Sequence, residues 1–163
     1  METYHKIREQ GFTLVEMLVV LAVIAILSVL ALPGNTGRAV QLKMVETIEL
    51  VEPFQNKIAM SYAAVGRFPE SNELANIPAA DKIIGNYLLA AEVQGGAIHL
   101  RLGQKMPAEL HGQQLSLRPV YVEDSPLSPV SWVCGFDSVP EGMQVAGVNR
   151  TDVKLNNLPL RCR

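Results

Sequence analysis

Residues Gly11–Leu32 read GFTLVEMLVVLAVIAILSVLAL, an aliphatic run interrupted by one carboxylate, Glu16. A helix over Phe12–Leu32, rising about 1.5 Å per residue, is long enough to cross most of the roughly 30 Å hydrocarbon core of a bilayer. Lys6 and Arg8 precede the run. Basic flanks stay on the cytoplasmic side of a membrane, so the bulk of the chain is expected on the far face. Glu16 is the anomaly, because isolated charge is costly in apolar surroundings and the next charged residue is Arg38. It needs a partner. A cut between Gly11 and Phe12 would free an α-amino group about one helical turn from Glu16, on the same chain or an adjacent copy, and that amine could neutralise it.

Two other readings of the segment stay open. Val29-Leu30-Ala31 offers a small-residue site for ordinary signal peptidase, although the run is longer than a usual signal core and such a signal has no use for an internal carboxylate. An uncut single-pass anchor would instead require Glu16 to pair with another membrane protein.

The remaining length of the 163-residue chain suits one modest domain. With 48% hydrophobic and 18% charged residues it has the make-up of a folded protein, neither disordered, collagen-like nor cysteine-dense. A net charge of -2 argues against a protein that coats nucleic acid by neutralising phosphates. Cys134 and Cys162 form an even pair with neither C-x-x-C spacing nor a second pair to complete a zinc site, so a disulfide is their simplest use. Disulfides persist outside the cytosol, in agreement with the topology set by Lys6 and Arg8. His5, His99 and His111 show no metal-ligand spacing, and no phosphate-binding, dinucleotide-binding or nucleophile-elbow glycine motif occurs. No catalytic residue, metal or cofactor is expected.

Downstream, Pro33-Gly34-Asn35-Thr36-Gly37 should break or loosen any helix running through it. Val40, Met44, Ile48, Val51, Ile58 and Tyr62 then recur at or near helical spacing, with charged residues between them, and read as an amphipathic helix. Pro53 must either kink that helix or start a new first turn. A loop from about Gly66 to Ile84 follows. Period-two patterns place strands at Tyr87–Gln94, Ala97–Leu102, Leu115–Val122 and Val130–Cys134, with Gly95-Gly96 as a tight turn. A helix on one face of an antiparallel meander makes a two-layer α+β domain. The loop between Cys134 and Cys162 mixes charges, glycines and a proline, offers little core, and is expected at the surface.

Gly11-Phe12-Thr13-Leu14-Val15-Glu16, after a short basic leader and before an aliphatic helix, resembles the prepilin signal of type IV pilins. Trp132-x-Cys134 and Leu158-Pro159-x-x-Cys162-Arg163 are similar to the closing segment of the major, filament-forming class. The resemblance implies an α+β fold: a long N-terminal helix, part filament core and part amphipathic, packed on a four-stranded antiparallel sheet, with a C-terminal disulfide-bonded loop. It implies residues 1–11 as a leader removed by prepilin peptidase, 12–37 as the transmembrane and filament-core helix, and 38–163 as the periplasmic head. It further implies methylation at Phe12, pairing of Glu16 with a neighbour's N-terminus, and a helical homo-oligomer. The implied partners are an inner-membrane assembly platform and minor pilins. The chain would wait in the inner membrane of a Gram-negative cell before export as an extracellular pilus.

Three functions compete. The first is the structural subunit of a filament serving adhesion, twitching motility or DNA uptake. The second, with the same N-terminus, is a minor pilin or secretion pseudopilin that initiates or caps a related filament. The third is a module binding DNA or a host surface, with Arg150, Lys154, Arg161 and Arg163 as its basic residues; so sparse a group is more often solvated surface.

Overall fold

A computed structural model of the protein describes residues 11–31 and 36–163. Residues 1–10 of the expected leader, and the Pro33-Gly34-Asn35 part of the expected helix break, lie outside the described residues. The chain divides into two compact units, Met1–Thr36 and Gly37–Arg163.

The first unit contains helix α1, Leu14–Ala31. Every large apolar side chain between Phe12 and Val29 is exposed within the chain, on all sides of the helix. A helix that is apolar all round is at rest only in lipid or among other helices. Its 18 residues rise about 27 Å, just short of the roughly 30 Å hydrocarbon core. Among the described residues no helix is both long and apolar enough to cross a membrane.

The second unit begins with α2 (Thr36–Leu50) and α3 (Glu52–Val65). The predicted stripe of Val40, Met44, Ile48, Val51, Ile58 and Tyr62 is buried throughout. Pro53 starts a new helix: Val51 is the N-cap residue of α3 and the proline stands in its first turn, where the missing N–H costs no intrahelical bond.

Against this stripe lies an antiparallel sheet in the order β1-β2-β3-β4, formed by Leu88–Gln94, Ala97–Leu102, Gln114–Tyr121 and Ser131–Cys134. A short fifth strand, β5 (Gln144–Val145), pairs with β3 at Val120 and Tyr121. Gly95 and Gly96 turn β1 into β2 with φ of 56° and 83°, the paired positive values that tight hairpins ask of glycine. Ile98 faces Leu117 and Leu100 faces Leu115, and these four join Met44, Ile48 and Ile58 in the core. The alternate residues, His99 opposite Ser116 among them, point to the other face of the sheet.

The stretch between α3 and β1 has turns and a single 3-10 turn at Ala80–Lys82. It is fastened by Asn72, whose Nδ2 donates to Pro78 O at 2.8 Å and Ala91 O at 3.0 Å while its Oδ1 accepts from Val93 N at 2.7 Å. Asn72 thereby satisfies backbone groups of the edge strand β1. Replacing Asn72 by Ala is expected to cost about 2 to 4 kcal/mol, since buried donors and acceptors would be orphaned; a denaturant midpoint unchanged from wild type would show that water takes them over.

Candidate functional site

The chemistry-bearing residues fall in two places, the start of α1 and the C-terminal disulfide loop. At the first, Gly11, Phe12 and Thr13 form an exposed irregular stretch ahead of the helix. Glu16 Oε2 accepts from the Thr13 backbone N–H at 3.3 Å, and Glu16 N–H donates to Thr13 Oγ1 at 3.2 Å. This reciprocal pair is a capping box, satisfying two of the donors that a helix start leaves free. The carboxylate also faces the positive end of the helix dipole. The T-x-x-E spacing ahead of an apolar run was visible in the sequence, yet the reading of Glu16 as a charge awaiting an amine passed over it. Thr13 belongs to the site for the same reason.

At the second place, Cys134 at the end of β4 and Cys162 are joined, with Cα atoms 4.5 Å apart and a sequence separation of 28. The enclosed segment is more than surface. It adds β5 beside β3, and Ala146 N donates to Pro119 O at 3.0 Å. It then crosses the outer sheet face: Arg150 N donates to Ser116 Oγ at 2.8 Å, Thr151 Oγ1 accepts from Ser116 N at 3.0 Å, and Asp152 Oδ1 accepts from Gln114 N at 2.6 Å. Val153 and Leu158 are fully buried and belong to the main core. The expectation of a loop with little core of its own is corrected here, because isolated valines and leucines in a segment without period carry no burial signal.

Where the segment crosses β2 the fit is close. A Cβ on Gly147, whose φ is 76°, would stand 2.5 Å from the Cβ of Ala97. Gly147→Ala is therefore expected to destabilise by about 1 to 3 kcal/mol, combining a left-handed backbone with overpacking. Wild-type thermal stability in that variant would mean that the strap can shift without cost.

Beneath the strap, His99 is 3% exposed, its Nδ1 stands 2.9 Å from Ser116 Oγ, and its Nε2 has no hydrogen-bond partner. Burial, and secondarily the Arg150 guanidinium, push it down to about 4, against an opposing pull from Glu92. The unfolded chain takes up the histidine proton below about 6.5, while the folded chain resists it until about 4. Stability is thus complete above 6.5 and falls with pH below it, by about 2 kcal/mol between pH 7.5 and pH 5. Denaturant unfolding at the two pH values checks this, with His99→Gln expected to lose less.

Of the four basic residues Arg150, Lys154, Arg161 and Arg163, two are engaged within the head. Arg150 reaches β1, where it pairs with Glu92 at 3.3 Å and hydrogen-bonds Gln94. Arg163 Nε donates to Leu158 O at 3.1 Å, and Lys154 and Arg161 are exposed. His111 Nε2 donates to Met106 O at 2.7 Å, on a different element from His99. Among the described residues no three His, Cys, Asp or Glu side chains converge as a metal donor set.

The described chain thus has an apolar N-terminal helix capped by a lone carboxylate and a helix-on-sheet head closed by a C-terminal disulfide. A family model of the prokaryotic N-terminal methylation motif matches residues 6–32, and one described as pilin (bacterial filament) matches residues 42–163. The chain belongs to the pilin family, and the methylation motif together with the disulfide make it a type IV pilin. No curated protein matches it significantly. Its family is one of structural filament subunits.

Proposed function

We propose that this pilin is the major subunit of a type IV pilus, cut between Gly11 and Phe12 by prepilin peptidase and methylated on the new Phe12 amine. Residues 12–37 then hold the chain in the inner membrane by a single pass and later form the filament core, while 38–163 make the head, first periplasmic and then extracellular. The observation that carries the reading is Glu16, the lone charge at the top of a helix whose large apolar side chains from Leu14 to Val29 are all uncovered within the chain. Thr13 engages Oε2, and the amine of an adjacent subunit's Phe12 is the natural partner for the charge that remains. The assembly platform of a Gram-negative inner membrane and minor pilins would complete the machinery. Adhesion, twitching motility and DNA uptake are the uses such a filament serves.

The Cys134–Cys162 bond favours a major pilin over a secretion pseudopilin, a class that commonly lacks it. Intact-mass and N-terminal analysis of the mature chain tests the cut and the methyl group together. A chain beginning at Phe12 and heavier by one methyl group is the expected result; one beginning after Ala31, or still at Met1, would overturn the reading. High abundance in sheared surface filaments supports the major rank, and trace abundance would assign the chain to initiation or capping instead.

A further inference from the structure

The ends of the head differ in charge, and both are apolar in places. At the start of α2, Gln41 Nε2 donates to Asn156 O at 3.3 Å, which brings the chain around Asn156 against the first turns of the helix. Arg38, and Lys154 and Leu155 beside Asn156, are exposed, and so are Leu160, 80% exposed, and Arg161 further along the same C-terminal segment. The acids on this side are occupied locally, Asp152 by Gln114 N and Asp137 by Ser138 N. At the close of α3 the balance reverses. Glu123 and Asp124 line a hollow of about 610 Å³ with Tyr62, Phe68 and Tyr121, and Arg67 is the cation among them. Leu127, 87% exposed, lies beside this hollow next to Pro126, which lines it.

The ends lie at the opposite limits of the α2 and α3 run, at most roughly 40 Å apart at helical rise, and among the described residues no salt bridge joins them within one head. Among the described residues the ion pairs are Lys82 with Asp81 and Arg150 with Glu92, so no side chain of either end is held in a salt bridge within the head. A filament is an open helical assembly, and open assemblies need heterologous contacts between two different, complementary surfaces of the same chain. A basic end with exposed leucines and an acidic end with an exposed leucine on a rigid aromatic base meet that requirement.

We propose that the basic end of the head, carrying Arg38, Lys154, Arg161 and Leu160, docks on the acidic end of a second copy of this chain, at Glu123, Asp124 and Leu127. The contact rests on membership of a filament and adds to it a head-to-head-end surface independent of the α1 core.

The test uses the full-length chain in cells that assemble it, read as its amount in sheared surface filaments. Lys154→Glu with Arg161→Glu at one end, and Glu123→Lys with Asp124→Lys at the other, should each lower that amount at least about tenfold, and joining all four should recover most of it. Membrane level and protection of Cys134 and Cys162 from alkylation verify that each variant is folded. For variants that fail that check, Leu127→Cys with Leu160→Cys replaces two exposed side chains only, and a short bis-maleimide should link copies into a ladder in filaments. Unchanged filaments from either charge reversal, no recovery in the folded fourfold variant, or no ladder would overturn the contact. Loss confined to the basic end would also overturn it, pointing to an anionic lipid or DNA there instead. Absence of the wild-type chain from sheared filaments is a different failure, one that removes the filament reading before the contact is reached.

Discussion

Replacing Glu16 by Ala is expected to leave the chain in the membrane and cut before Phe12, yet to lower its amount in surface filaments at least about tenfold, a cost of about 1.4 kcal/mol or more per assembly step. Two effects contribute. The capping box with Thr13 is lost, worth about 1 kcal/mol of local helix stability, and the amine of the incoming Phe12 is left without its carboxylate in an apolar bundle, where an unpaired charge costs about 2.5 to 3.5 kcal/mol. Glu16→Gln separates them. Glutamine serves at the third position of a capping box as glutamate does, so that variant keeps the helix start and removes only the charge. If Gln assembles as poorly as Ala, the charge is what the filament needs. Wild-type filaments from Gln would sink the ion-pair account and leave capping as the role of Glu16, and wild-type filaments from Ala would remove both.

The parts of the fold that repeat were legible, and the parts that do not were missed. The six-residue stripe from Val40 to Tyr62 is buried as its spacing predicts, since a helical face must be covered by something. β2 has its expected limits, Ala97–Leu102, and the other three strands differ by a residue or so, because each alternates against a sheet neighbour and the glycine pair fixes one register. Pro53 left two outcomes open in sequence, and Val51 as the cap residue of α3 selects one. By contrast β5, Val153 and Leu158 had no period to betray them; they are placed by long-range bonds to Ser116, Pro119 and Gln114 that local pattern cannot encode. The buried pairing of His99 with Ser116 was hidden for the same reason. At the N-terminus the opposite happened, for the motif was so specific that the plainer structural use of Thr13 and Glu16 went unread.

Converting both Cys134 and Cys162 to Ser is expected to lower the stability of the head by about 3 to 4 kcal/mol, from the loop entropy released to the unfolded chain over a 28-residue separation. That is a large fraction of the roughly 5 to 15 kcal/mol of a small domain. The strap explains why this head relies on the bond. Its hydrogen bonds to β3 join residues 27 to 38 positions apart in sequence, each made only after a long loop has closed, and its apolar anchors are few, chiefly Val153 and Leu158. Cys162 is itself fully buried, and Phe136 N donates to its carbonyl at 3.0 Å, so the bond and the hydrogen bonds around Cys134 close the same corner. Leu158→Ala, which removes an anchor and keeps the covalent closure, should cost about 2 to 5 kcal/mol by cavity formation. If the strap is held jointly, the triple variant should lose less than the sum of the two changes, because a strap already released has no burial left to forfeit. Denaturant unfolding of the four chains supplies the comparison. A loss below about 1 kcal/mol in the double Ser variant would mean that the strap stays in place through its backbone bonds alone.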